Sequence, residues 1–139
     1  MDERKRKDLS KYRFERAEEE LDTAKQLLAM GKINKSVNSS YYAMFHAARS
    51  VLALDGFDAK KHSSVISYFS ANYVRTGVFD ADVSRLIWSA FVNRGYSDYK
   101  DYYTATHETA QEQISNAERI ISLIKPYLES TWTEMEDES

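Results

Sequence analysis

Residues 36–52 read SVNSSYYAMFHAARSVL, and this stretch decides the fold that the rest of the chain predicts. Its apolar residues recur every three or four positions, which is the period of an α-helix. One face of the predicted helix carries larger apolar side chains: Val37, Tyr41, Met44, Phe45, Ala48, Val51 and Leu52. A second face carries small ones: Ser36, Ser40, Ala43, Ala47 and Ser50. Because small side chains let a neighbouring helix approach closely, we predict a central helix covered on two sides.

A third, narrow face of this helix is polar. It carries Asn38, Tyr42, His46 and Arg49, about one turn apart, and the helical period continues it to Ala53. Polar groups on a mostly buried helix need partners. This face is therefore either a hydrogen-bond ladder to a neighbouring helix or dimer mate, or the wall of a binding site. This helix also has more non-polar surface than the other four helices of a monomer would cover. We therefore predict a homodimer with two-fold symmetry.

Four glycines divide the chain into five predicted helices. Gly31, Gly56, Gly77 and Gly95 each follow a helix-periodic stretch, and glycine just past a helix end readily adopts the left-handed conformation. The first helix is predicted over 9–30, the second from an Asn34 cap to about residue 55, and the third from residue 62 or 63. The fourth follows an Asp80 cap, and the fifth starts near residue 104 or 106. Pro126 should kink or end the fifth helix. No stretch predicts a strand.

Composition limits the class of protein. The 139 residues predict one domain, 1–139, with flexible tails at 1–8 and 130–139. Without cysteine, neither disulfides nor a thiolate zinc site is expected, and no apolar run is long enough for a membrane span. The start of the chain does not resemble a signal peptide, so we expect a cytoplasmic protein. With a net charge of −3, any nucleic-acid binding must use a local basic patch.

Residues 39–49, SSYYAMFHAAR, are similar to the signature second helix of small uncharacterised HEPN-domain proteins. The run 62–66, HSSVI, followed by Phe69, Val74 and Gly77, resembles the third helix of that family, and Arg94 with Asp98-Tyr99 resembles its motif after the fourth helix. The resemblance implies an all-α, five-helix antiparallel bundle that forms a homodimer. Such proteins are often encoded beside a minimal nucleotidyltransferase as a toxin–antitoxin pair, and many are metal-independent endoribonucleases.

The ribonuclease motif of that family is incomplete in this chain. The resemblance implies an arginine and a histidine separated by four to six residues, brought together across the dimer. Here Tyr99 stands at the histidine position after Arg94. The tyrosine that the transferase modifies in some relatives corresponds to Asp101, with Tyr102 beside it. Because tyrosine has a pKa of about 10, it is a poor base at neutral pH, whereas arginine still binds phosphate.

Arg94 continues the apolar stripe of the fourth helix. It either pairs with Asp98 or Asp101, or binds phosphate. A short connection predicts antiparallel packing with the fifth helix. That packing would bring four side chains towards one end of the bundle: Arg94, Tyr99, Tyr103 and His107. A dense tyrosine cluster there either stacks bases or packs a helix corner and dimer seam; it comprises Tyr96, Tyr99, Tyr102 and Tyr103.

Three functions fit these residues. The first is a binding module, partnered with itself and a minimal nucleotidyltransferase, that holds a nucleotide or RNA; its predicted contacts are Arg94, Arg49, Tyr42, His46 and Tyr99. The second is an endoribonuclease toxin that uses Arg94 with His107 or His46, so that the catalytic candidates are Arg94, Tyr99, His107 and His46. The third is a structural dimer without a ligand. No residues predict a metal site or a cofactor, and the acidic motif of a nucleotidyltransferase is missing.

Overall fold

Five α-helices form the architecture of the protein in a computed structural model, which describes residues 2–135. The helices span Glu3–Ala29 (α1), Ile33–Leu54 (α2), His62–Phe69 (α3), Asp82–Tyr99 (α4) and His107–Glu134 (α5). One π-helical turn, Ser70–Val74, continues α3. Residues 2–135 contain no strand. The prediction of an all-α, five-helix protein is therefore confirmed.

Helix α2 lies at the centre and contacts each of the other four helices. Its large apolar face and its small-residue face are both buried, as predicted. The small face packs on α1, where two hydroxyls donate across the seam. Ser36 Oγ donates to the Ala24 carbonyl and Ser10 Oγ donates to the Ser50 carbonyl, each at 2.7 Å. The small side chains therefore let the backbones of α1 and α2 approach closely.

The same packing removes our first reason for expecting a dimer. Helices α1, α3, α4 and α5 of one chain cover the non-polar faces of α2, so α2 leaves no apolar excess for a second copy. Ala53, expected on the polar face, is only 1% exposed. The polar face of α2 ends at Arg49, and beyond this residue the rest of the fold covers that side of the helix.

The ends of the outer helices differ from the prediction. Helix α1 begins at Glu3 because the Asp2 side chain caps it, accepting from the Lys5 amide at 2.8 Å. Thr106 caps α5, which runs through Pro126 to Glu134 rather than ending at the proline. The tails predicted at 1–8 and 130–139 are thus helical over 3–8 and 130–134. Residues 1 and 136–139 lie outside the described residues.

Two of the turn and cap predictions need correction. Gly31, Gly56 and Gly77 have the positive φ of helix stops, but Gly95 lies inside α4, which continues to Tyr99. Asn34 lies in the first turn of α2 and is not its cap; its side chain donates to the Tyr103 carbonyl and accepts from the Ala105 amide, at 2.9 and 2.8 Å. This contact fastens the α4–α5 loop to the start of α2. Helix α4 starts at Asp82, with Ala81 rather than Asp80 at the cap position.

Candidate anion-binding site

Helix α4 holds the Arg94 side chain against the polar face of α2. Arg94 Nη2 donates to the Tyr42 hydroxyl at 3.2 Å, and Nε lies 2.8 Å from a carboxylate oxygen of Asp98. The guanidinium carbon is 5.5–5.7 Å from the ring centroids of Tyr41, Tyr42 and Tyr99. The predicted pairing with Asp98 is therefore present. The same cation also lies against three aromatic rings, at a distance where cations are attracted to ring faces.

An open groove runs beside Arg94 on the outer side of α4. Tyr99 is 75% exposed there, and Lys100 places its Nζ 5.0 Å from the Tyr96 ring centroid. The groove thus combines aromatic surface with positive charge; its lining is Phe91, Val92, Arg94, Gly95, Tyr96, Tyr99 and Lys100. Both features are those that proteins use to hold unpaired nucleotides.

His62 is the site residue that sequence reasoning missed. As the first residue of α3, it stacks on Phe45 at 4.2 Å, and its Nδ1 lies 2.8 Å from the Tyr41 hydroxyl. Tyr41 also borders Arg94, so one buried ring separates the histidine from the arginine. Burial, and then the charges of Arg94 and Arg49, lower the pKa of His62. The available signal is its place in the HSSVI run at the start of α3.

A second basic cluster lies at the other end of the same face of α2. Arg13 of α1 and Arg49 of α2 both reach the carboxylate of Asp58, at 3.2 and 3.1 Å. Arg13 Nη1 also donates to the Arg49 carbonyl at 3.3 Å. Burial, followed by the charge of Arg49, lowers the pKa of the Arg13 guanidinium. Sequence reasoning named Arg49 but missed Arg13, which is 36 residues from Arg49, and Asp58, which lies beyond the end of α2.

His46 lies between the two arginine clusters. It is 9% exposed, and its ring centroid is 5.8 Å from that of Tyr42 and 5.9 Å from that of Phe45. Its Nδ1 is buried and has no hydrogen-bond partner within residues 2–135. Burial first, and then nearby charges led by Arg16, lower the pKa of His46 to about 4. The imidazole is therefore neutral at pH 7, and the hydrogen-bond ladder considered for this face does not include its Nδ1.

His107 does not join Arg94. It is exposed at the start of α5 and lines a groove with Leu28 of α1 and Ile114 of α5. The expected convergence fails because Asn34 holds the α4–α5 loop against α2, so that α5 begins alongside α1. Within one chain, Tyr96, Tyr99 and Tyr102 of the tyrosine cluster are exposed and Tyr103 is partly buried, which is compatible with both roles considered for the cluster.

The described residues provide no other chemistry of the kinds considered. Within 2–135, no three side chains of the metal-binding types are grouped closely enough to hold an ion. No helix in the same range combines the length and apolarity needed to cross a bilayer. The two arginine clusters, with His46 and His62 near them, are therefore the candidate site.

Comparison with known proteins agrees with this architecture. The family model described as the HEPN domain matches residues 10–127. A "UPF0332 protein" from Pyrococcus horikoshii is 33% identical over 85% of this chain and 75% of its own length. The protein named "Putative toxin MJ0605" from Methanocaldococcus jannaschii is 33% identical over 83% of this chain and 85% of its own. A "UPF0332 protein" from Thermotoga maritima is 30% identical, covering 85% and 89%. The chain belongs to the HEPN domain family.

Proposed function

We propose that this protein is a HEPN-type binding module in a toxin–antitoxin-type pair, and that Arg94 holds a phosphate group of a nucleotide or RNA. The observation that carries the proposal is the setting of Arg94. Its guanidinium lies against three tyrosine rings, with the carboxylate of Asp98 beside it. Arginine is charged at every physiological pH and binds phosphate oxygens in pairs. The exposed ring of Tyr99 offers a surface on which a base stacks.

The toxin–antitoxin context is supported by relatives from Methanocaldococcus jannaschii whose names include the word toxin. The proposed partner, a minimal nucleotidyltransferase, rests on the resemblance of the second and third helices to paired HEPN proteins. Co-purification of the tagged protein with the product of its neighbouring gene tests this part. Recovery of the chain alone from cells that express both would contradict the pairing.

The proposed homodimer now rests on α4 rather than on α2. A stripe of α4 repeats every three or four residues and consists of Trp88, which is partly buried, and of Val92, Gly95 and Tyr96. Val92 and Tyr96 are both more than 40% exposed. A Cβ built on Gly95 meets nothing within 4 Å, so no contact inside the chain requires a glycine there. A glycine in a helix interior costs stability, and close approach of a second α4 would account for it.

The phosphate site is tested by binding of a fluorescent single-stranded oligoribonucleotide and of AMP. Arg94→Ala should weaken both by about 10- to 100-fold, since a charge-assisted hydrogen bond contributes about 1.5–3 kcal/mol. Arg85→Ala is the matched control, because Arg85 lies exposed on the same helix and carries the same charge. Equal losses of affinity in the two variants would mean that Arg94 acts only through the net charge of the protein. A wild-type protein that binds neither ligand would leave the structural dimer as the better description.

A metal-independent endoribonuclease is the second candidate, and the place of His62 next to Tyr41 and Arg94 favours it. In that reaction neutral His62 takes the proton of a ribose 2′-hydroxyl. The 2′-oxygen bonds to phosphorus, the bond from phosphorus to the 5′-oxygen breaks, and the leaving oxygen takes a proton from water. Arg94 would stabilise the charge on the phosphate. In this reaction His62 takes the role of the base that the sequence analysis considered for His107, because His107 lies on another side of the bundle.

We expect cleavage to be weak or absent, because Tyr99 occupies the position of the motif histidine. The assay uses single-stranded RNA with EDTA, with wild type, Arg94→Ala, His62→Gln and His107→Ala. Robust cleavage that is lost in the Arg94 and His62 variants and kept in the His107 variant would replace the binding module with a ribonuclease. Cleavage lost with His107 would instead contradict the arrangement described above.

A further inference from the structure

The polar face of α2 has an arginine cluster at each end, and only the Arg94 end is used by the proposed function. Tyr42, which contacts Arg94, and Arg49 are seven residues apart, which is about 10.5 Å along a helix. We propose that Arg13 and Arg49 form a second anion-binding position, so that the ligand of this face is a single-stranded oligonucleotide with phosphates at both ends. This inference rests on the proposed function, because it takes Arg94 as the first position.

The charged side chains at the second position differ in how deeply they are buried. Arg13, with 7% of its surface exposed, and Arg49 share one carboxylate, and the Asp58 side chain is 53% exposed. Arg16 adds a third cation, close enough to act on His46, and the carboxylates of Glu19 and Glu20 lie near Arg16. Because solvent screens the exposed carboxylate more than the buried guanidinium, positive charge dominates on the inner side of the cluster. An arriving phosphate would balance it.

Two buried polar atoms at this position have no hydrogen bond within the described part of the chain. They are Nε of Arg49 and Nδ1 of His46, a side chain more than nine-tenths buried. Folded proteins seldom leave such groups without a partner, because burying them costs stability. Nε of arginine is a donor, and Nδ1 of a neutral histidine is a donor in one tautomer. Phosphate oxygens accept from donors of both kinds, so the second position holds two groups whose hydrogen-bonding capacity an anion could use.

The surface between the two positions suits a strand of unpaired nucleotides. His46 and the partly exposed Tyr42 lie along α2 between the clusters, with the His62 ring edge-on to Tyr42 at 5.7 Å. The exposed Tyr99 ring extends this surface beyond Arg94. A single mononucleotide phosphate reaches one cluster and not both. A short strand reaches both, with bases free to stack on the aromatic rings.

The test compares AMP with a single-stranded oligoribonucleotide of about ten nucleotides, a length within the site sizes of single-strand binding proteins. Arg49→Gln should weaken oligonucleotide binding about tenfold and lower the slope of log K against log salt by about one, since one phosphate contact is lost. AMP binding should stay within about twofold of wild type. Arg75→Gln, an exposed arginine after the π-helical turn, is the matched control and should change neither ligand.

Asp58→Asn keeps both arginines and removes their shared carboxylate, so it should tighten oligonucleotide binding without changing AMP binding. Because this variant predicts a gain, a folding defect cannot imitate the expected result. Oligonucleotide affinity and salt slope that are unchanged in both variants would overturn the second position while leaving the Arg94 site intact. Equal loss of AMP and oligonucleotide binding in Arg49→Gln would show one position rather than two. Absence of all binding by wild type would overturn the proposed function and this inference together.

Discussion

His46 should make the protein less stable in mild acid. Its side chain is 9% exposed, and burial with the charges of Arg16, Arg49 and Arg13 lowers its pKa to about 4 in the folded chain. The unfolded chain returns it to about 6.5. Between these values the unfolded state binds the extra proton, so stability rises with pH and falls as pH is lowered. At about 1.4 kcal/mol per pH unit, moving from pH 7 to pH 5 should cost about 2 kcal/mol.

The assay is urea unfolding followed by circular dichroism at pH 7 and pH 5, for wild type and His46→Gln. His62 and the carboxylates titrate in both proteins, so the difference between the two pH dependences isolates His46. We expect wild type to lose about 2 kcal/mol more than the variant over this interval. Parallel pH dependences would refute the reasoning, since they would mean that His46 is protonated as easily in the folded chain as in the unfolded one.

Three further predictions concern packing. Ala47→Leu should destabilise the protein by about 1–3 kcal/mol in a thermal melt, because Ala47 is fully buried in the small-residue face packed on α1. Ala29→Leu, at an exposed position, is the control and should change the melting temperature little. Equal melting temperatures for the two variants would exclude close packing between α1 and α2. Gln113→Leu should be neutral or stabilising by about 1 kcal/mol in urea, because the buried Gln113 amide has no partner within residues 2–135; a large loss would reveal one. Light scattering should give twice the 16.1 kDa chain mass, and a particle of 16.1 kDa would contradict the dimer. Gly95→Ala should weaken the association of the two chains, while stabilising helix α4 by about 0.5–1 kcal/mol.

The two buried faces of α2 were predictable because helical period alone assigns residues to faces. The neighbourhood of Arg94 was predictable only in part. Its pairing with Asp98 is one turn along the same helix, and sequence spacing identifies such pairs. The approach of His62 depends instead on how α3 and α4 pack on α2, and nothing local to residue 62 encodes that.

Local preference misled the predictions where tertiary contacts were stronger. Gly95 has the residue type of a helix stop, yet α4 continues because positions 96–99 keep helical bonds and side-chain contacts, among them Arg94 with Tyr99. A simple antiparallel hairpin between α4 and α5 would bring His107 to Arg94. The loop between those helices takes its course from a distant side chain, that of Asn34, which no spacing rule identifies.

The Asn34 side chain behaves like a peptide unit inserted beside the loop, since its amide both gives and receives a hydrogen bond with the backbone of Tyr103 and Ala105. Such a contact depends on one chemical detail, the NH₂ group. Deamidation would turn Asn34 into an aspartate of nearly the same shape and set a negative oxygen against the Tyr103 carbonyl. Slow deamidation of this one side chain would then loosen the loop that follows Asp98 and Tyr99, so the structure beside Arg94 would lose order with time.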